Sequence, residues 1–485
     1  MRHILPAALC ISTLLGPSLV AGQTPLSRTA GTGKSTEEDQ PATVRLVLQP
    51  AGEPRQALKY QLLPPLLDRR PGNAAIMYNK IAMMQYFEDW HQAEDKAVDW
   101  LDVPLADFPR EEVKDFLARY EQMLDDLDLA ARRKDCDWQL PFEERDFVSM
   151  LLPEVQRIRS FARLLALLAG LQIAEGRFDE AIRTLQTGYS MGRHIAEGPT
   201  LVNGLVGIAV CDIMSERVQE LIQQPGAPNL YWALTSLPRP MIDMRKAAET
   251  EMNMIYLSFP QVRELDDTRH GREYWDEFVD DLSERIVEFG MGSRTPKWQA
   301  RLLLTGLAIR GYPMARQYLI DQGRSAEEVD AMPVAQVVAI YSLDTYNEFR
   351  DATFKWFFVP YWEAHVGLQE AEGRLGAEAH RREVFPVASL LLPAVGAVDL
   401  AVARNDRQIA ALRTIEALRI YGAAHDGKLP PTLGDVTEVP VPIDPVHGKP
   451  FRYALEGDTA VLESPAPPNR SQKRYGLRFE ITFAK

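Results

Sequence analysis

The chain has almost no cysteine. Cys10, Cys136 and Cys211 are the only three in 485 residues. That excludes a disulfide-dense scaffold and leaves nothing from which to build paired Cys-x-x-Cys metal or redox sites. Positive charge is also short: 54 Lys and Arg stand against 68 Asp and Glu, a net charge of −14. That is the wrong sign for a surface that gains affinity by neutralising phosphates, so no nucleic-acid partner is expected. Long apolar runs are missing beyond the N-terminus. The most apolar stretch there, Val384–Val398, contains Pro386 and Pro393 and ends at Asp399. It falls short of the roughly 20 residues a bilayer span needs and reads as buried core. Gly-x-Ser-x-Gly, His-Glu-x-x-His and Gly-x-Gly-x-x-Gly are absent, which removes the specific sequence reasons for proposing those chemistries.

The titratable residues that are present do not converge. The eight histidines, His3, His91, His194, His270, His365, His380, His425 and His447, are scattered. Glu88-x-x-His91 has di-iron spacing, but Asp267-x-x-His270 is its only approximate mate, and such a site needs two full pairs and two further carboxylates. Glu-Ala-His recurs at 363–365 and 378–380. On one continuous helix the two copies would lie about 22 Å apart, too far to share an ion. Glu273, Glu277, Asp280, Asp281 and Glu284 read as a solvated acidic face near Arg272 and Arg285. Gly31-Thr-Gly33-Lys34-Ser35 mimics the end of a phosphate loop, but Arg28 stands where its first glycine is required. No catalytic residue, cofactor, metal ligand or nucleotide partner is therefore assigned. Cys136 and Cys211 read as independent buried thiols, with one disulfide between them as the alternative in an oxidising compartment.

The N-terminus has Arg2, an apolar run from Ile4 to Val20, and small residues at Val20-Ala21-Gly22. It reads as an export signal over 1–22, removed near Gln23 or else kept as an anchor; either way the protein is exported, to the periplasm or outside the cell, and after cleavage no membrane span is expected. Residues 23–43 are polar and aperiodic, a flexible linker. Residues 44–72 read as short strands, Val44–Leu48 and 57–63, followed by a Pro-rich loop. From Asn73 apolar residues recur at helical spacing, and 73–383 reads as a helical domain. Helices are expected over about 142–175, 178–196, 200–223, 239–258, 272–289, 296–309 and 334–372, with a long one over 395–424. The expected fold is mainly α: a multi-helix array or bundle with short N-terminal strands and a small C-terminal α+β module on an antiparallel sheet.

Leu165, Ala169, Gly176, Phe178, Ala181 and Gly188 outline a helical hairpin that resembles one tetratricopeptide-type unit. The positions about 34 residues downstream of Ala169 and Ala181 hold Asn203 and Ser215, and the turn does not recur, so an ordinary packed helix pair is expected.

The strongest pattern lies at the C-terminal end, in 384–485. A helix stripe of Ile409, Leu412, Ile415, Leu418 and Tyr421 stops at Gly427. Pro430, then Asp444-Pro445-x-x-Gly448-x-Pro450-Phe451-x-Tyr453, leads into strand-like segments. This resembles the globular end of type II secretion pseudopilins, in which a long lead helix packs on a small sheet. The resemblance implies structural roles for Tyr421, Pro430, Asp444, Pro445, Gly448, Pro450, Phe451 and Tyr453. Pseudopilins begin with their own membrane helix, whereas nearly 400 residues precede the motif here, and the family's calcium loop has no matching carboxylates. The segment Ala57–Ala75 also resembles uncharacterised exported bacterial proteins. Together these readings point to an exported, non-catalytic helical scaffold that binds protein, associated with envelope or secretion. An extracytoplasmic hydrolase-type enzyme with a site assembled from distant residues stays open beside it.

Overall fold

The computed structural model describes residues 40–140, 153–268, 270–286, 296–385, 387–392 and 395–484. The export signal, most of the linker, the phosphate-loop mimic and the expected helical segment at 142–152 lie outside them. Helices of eight or more residues are α1 (Ala74–Ala82), α2 (Gln85–Leu101), α3 (Arg110–Leu117), α4 (Glu121–Ala131), α5 (Pro153–Ala174), α6 (Phe178–Ala196), α7 (Leu201–Leu221), α8 (Arg245–Met252), α9 (Arg272–Ile286), α10 (Lys297–Asp321), α11 (Val334–Phe354), α12 (Tyr361–Arg382) and α13 (Val395–Ala424). The fold is mainly α, as the periodicity indicates. Proline marks several helix starts, at Pro109, Pro296, Pro333 and Pro360. Before the first turn proline has no helical N–H to lose, and its φ is already suitable.

One sheet of four strands is present among the described residues: β1 (Thr43–Leu48), β2 (Arg452–Glu456), β3 (Thr459–Ser464) and β4 (Leu477–Phe483), in the order β1-β4-β3-β2. β2–β3 and β3–β4 are antiparallel, but β1 lies parallel to β4, with Leu46 opposite Ile481 and Leu48 opposite Phe483. The expected N-terminal strand pair is therefore corrected. Segment 57–63 forms turns, and β1 completes the C-terminal sheet. Pro64-Pro65 follows that segment and cannot donate to a ladder. β4 instead offers alternating apolar residues, and Leu46, Leu48, Leu462, Phe479 and Ile481 make a buried face.

The chain divides into two compact units. One comprises, among the described residues, 40–138, 153–244 and 400–484, and the other is essentially 245–399. The expected segment boundaries at 72/73 and 383/384 do not coincide with these, because β1 and the early helices belong with the C-terminal sheet.

In the first unit, α5 turns into α6 through Gly176 at φ +73°. The Arg177 N–H reaches back to the Gln172 carbonyl at 2.8 Å, closing the helix end. α6 then runs against α7 at close range. A Cβ on Gly207 would stand 2.5 Å from the Gly192 carbonyl oxygen. Gly188, expected to serve the α5–α6 contact, faces Met214 of α7 instead. α13 lies by the sheet: a Cβ on Gly422 would be 2.5 Å from the Phe483 ring, and Leu412, Ile415 and Leu418 are fully buried.

In the second unit, Ala315 and Leu319 of α10 and Val337, Val338 and Tyr341 of α11 share a core with Val329 and Val384. α10 continues through Pro313, twelve residues beyond the expected stop at 309. The apolar side carrying Gly311, Ala315 and Leu319 keeps packing past the proline. The expected helices 239–258 and 334–372 are each broken, the second by Pro360.

Candidate functional site

The eight residues of the C-terminal pattern shape the passage from α13 to β2. Tyr421 stacks on His425 with ring centroids 3.8 Å apart. His425 Nδ1 lies 2.9 Å from the Tyr421 carbonyl and 3.4 Å from Glu438. The Tyr453 hydroxyl donates to the Pro430 carbonyl at 2.7 Å, and burial raises its pKa above the usual phenol range. Asp444 is buried. Its carboxylate accepts the Val446 N–H, and its carbonyl accepts the Gly448 N–H, both at 2.8 Å. Gly448 takes φ +65° to close the turn. Pro445 is half-buried within it. Pro450, exposed, pairs with Ile443 in a two-residue ribbon, and Phe451 is buried beyond. In this arrangement the eight residues do the work of turns and packing.

A different set of polar groups lies deeper in the same unit, where hydrophobic periodicity does not point. On α7, Asp212, Glu216 and Glu220 fall on one stripe at four-residue spacing. On α13, Arg404, Asn405, Asp406 and Arg407 follow one another. The Asn405 amide donates to Asp212 Oδ1 at 2.7 Å. Asp406 accepts the Met241 N–H at 2.8 Å, and Arg407 donates to the Tyr475 carbonyl at 2.8 Å. Arg217 and Glu220 approach to 2.9 Å. Burial raises the Asp212 carboxyl. It lifts Glu216 to about 8 despite Arg217, with Asp212, Glu220 and Asp102 adding like-charge repulsion. Asp406 rises to about 6 by burial. A carboxyl shifted in this direction is suited to give up a proton near neutral pH, as a general acid does. Farther along α13, Glu416 and Arg419 form a fully buried ion pair at 2.9 Å.

The histidines do not enter this seam in the contacts described. His194 is buried, with Nδ1 3.0 Å from the Tyr78 hydroxyl and its ring bonded to the Arg133 backbone. Burial lowers it to about 4. His91 lies 3.4 Å from Glu94 at the surface. Glu94 also accepts Ser160 at 2.8 Å and Arg163 at 2.6 Å. The serine therefore points to the acid, whereas nucleophilic catalysis needs it to point to the base. Cys136 and Cys211 are separate thiols, and only Cys211 is buried as expected, Cys136 being half-buried. No group of three or more His, Cys, Asp or Glu side chains among the described residues is arranged to hold a metal ion, and no described helix is long and apolar enough to cross a membrane.

The second unit presents a surface instead. α10 exposes Trp298, Leu302, Leu303 and Ile309, at 64%, 65%, 47% and 65%. Beside it, the acidic face of α9 is partly neutralised. Asp276 and Asp280 accept Arg301 at 3.1 and 2.5 Å, and Glu284 meets Lys297 at 2.5 Å. Isolated exposed apolar side chains are ordinary, whereas several grouped on one helix mark a contact surface. No protein-family model, curated protein or solved structure matches the chain.

Proposed function

We propose that the chain is an exported, non-catalytic scaffold that binds protein, associated with envelope or secretion, and that its C-terminal module is of the pseudopilin kind. The observation that supports this reading is the apolar face of α10, where Trp298, Leu302 and Ile309 stand in solvent on one helix. The test is a photo-reactive benzoylphenylalanine placed at Leu302 in cells, with the same probe at exposed Glu327 as control, combined with fractionation. Export with a discrete protein adduct at 302 and none at 327 is expected. A cytoplasmic protein with no adduct overturns the reading.

A second reading, an extracytoplasmic hydrolase-type enzyme, is favoured by Glu216, a carboxyl lifted to about 8 among three other acids. Chromogenic esters, peptides and glycosides would test it. Hydrolysis abolished by Glu216→Gln supports it, and no turnover of any class removes its support.

A further inference from the structure

The turn that carries the chain from β3 to β4 is basic in an acidic protein. From Ser464 to Phe479 it holds Arg470, Lys473, Arg474 and Arg478 and no acid, although the whole chain carries a net charge of −14. Arg478 is matched by Glu463 and Glu480 on the sheet. Arg470 and Arg474 gather at Tyr475 instead. Their guanidinium carbons lie 5.9 and 5.3 Å from the centre of its ring. A third guanidinium, from Arg404 of α13, stands over the same ring at 5.3 Å.

Attraction to an aromatic face accounts for arginines at a wet surface. It does not account for Arg404. The Arg404 Nε is sealed from solvent, and the side chain makes no hydrogen bond or ion pair among the described residues. A guanidinium drawn out of water ordinarily finds acceptors for its N–H groups. Asp212, the carboxylate whose charge reaches it, already accepts the Asn405 amide at 2.7 Å and forms no ion pair with Arg404. Burial lowers the Arg404 pKa; Asp212 and Tyr475 oppose that, and the positive charge of Arg474 adds to it. Like charges set this close, one of them without an acceptor, are what a bound anion relieves.

The surroundings are firmly built. Arg407, one turn on from Arg404, is buried and donates to the Tyr475 carbonyl at 2.8 Å and to the Ser464 hydroxyl at 3.3 Å. The Gln472 side chain accepts the Ala466 N–H at 2.9 Å across the turn, and the Tyr475 N–H donates to the Ser471 carbonyl at 3.0 Å. Arg404 and the ring are thus held in place. Arg474 is exposed, so its long side chain can turn towards an arriving ligand.

We propose that Arg404, with Arg470 and Arg474 around Tyr475, forms a binding site for a tetrahedral oxyanion of the phosphate class, free or carried as a monoester on a small molecule. A carboxylate presents two coplanar oxygens, enough for one guanidinium fork. A phosphate presents oxygens in several directions and more charge, which suits forks that arrive from separate chain segments. Arg407 is a positioning residue that ties the turn to α13. The site lies in the unit that contains the sheet and is independent of the protein-binding reading above.

Equilibrium dialysis of the purified mature protein against radiolabelled inorganic phosphate, at constant ionic strength, tests it. One site per chain is expected, displaced by sulfate and not by acetate. Arg404→Met should weaken binding on the order of tenfold or more, as the loss of a charged hydrogen bond does. It should melt no lower than the parent in phosphate-free buffer, because that guanidinium has no hydrogen bond within the protein to lose. Arg474→Gln, at an exposed position, should also weaken binding, and it decides the matter if Arg404→Met does not fold. Arg310→Met, in the other unit, should bind as the parent does. Phosphorylethanolamine competing better than phosphate assigns an esterified ligand, and competing worse assigns the free ion; both support the site. No phosphate bound at millimolar concentration, displacement by acetate as strong as by sulfate, or a folded Arg404→Met that binds as well as the parent overturns the proposal.

Discussion

Replacing Arg419 by Met should loosen the junction between the sheet and the helices of its unit. The guanidinium is 1% exposed and donates to the carbonyls of Gln49 and Ala227, each at 2.9 Å, and to the Glu416 carboxylate at 2.9 and 3.1 Å. Glu416 is itself 0% exposed. Methionine fills much of the volume but leaves that carboxylate buried without its partner, which typically costs about 3–5 kcal/mol. Burial already raises the Glu416 pKa, and Arg419, with a smaller share from the Leu230 backbone, opposes the rise. Without it the folded-state pKa climbs further, so the variant loses more stability at pH 8 than at pH 5, where the acid can take a proton. Glu416→Gln in the same chain should return part of the loss. Urea denaturation at the two pH values gives the magnitude, and hydrogen exchange at 43–48 gives the location. Gln49 and Ala51 both bond to Arg419; Gln49 follows directly on β1 and Ala51 lies two residues further on. A loss under about 1 kcal/mol with unchanged β1 protection, or an equal loss in the double variant, would refute the reasoning.

Other outcomes follow from the same geometry. His194, depressed to about 4 against an ordinary 6.5, contributes stability that is complete above pH 6.5 and falls by roughly 3 kcal/mol as pH drops towards 4; His194→Gln should flatten that acid limb in melting curves, and parallel curves would refute a buried neutral ring. Glu216 is raised, so its sign is opposite: Glu216→Gln should stabilise the protein more at pH 8 than at pH 5 by chemical denaturation. Gly207→Ala pushes a methyl to 2.5 Å from the Gly192 carbonyl and should cost about 1–3 kcal/mol, checked by the urea midpoint. Leu418→Ala, at a fully buried position, should cost about 2–4 kcal/mol, with faster exchange in the unit that contains the sheet.

The long helices were legible because their apolar spacing is local information: 178–196 and 395–424 match α6 and α13 end to end. Proline was legible only in part. Pro360 breaks the expected 334–372 helix because the chain before it turns extended, whereas Pro313 is carried through because packing continues on both sides. The partner of β1 was not legible, since alternation in Val44–Leu48 says that a strand forms and not which strand it meets. The buried seam escaped for a related reason. Arg407, Glu416 and Arg419 look like the wet side of an amphipathic helix, but α13 has neighbours on more than one side, so these polar residues are buried too. At the C-terminal pattern, the turn chemistry of Asp444 and Gly448 was readable from residue type. The apolar face of α10 lies within the expected 296–309 helix, but which of its apolar residues would stay uncovered is a property of the packed unit and not of the spacing.

The parallel pairing of β1 with β4 also bears on the order of events during synthesis. Strands that share a ladder are separated here by more than 400 residues, so β1 leaves the ribosome long before the strand it needs. Through that interval its apolar side chains at Leu46 and Leu48 have no ladder to join, and pairing between segments so distant in sequence is slow. A chain arrested before β4 would hold β1 open as an adhesive edge. Leu48 and its neighbours are thus a late-closing clasp, and proteolytic sensitivity at 43–48 in arrested chains reports how far folding has advanced.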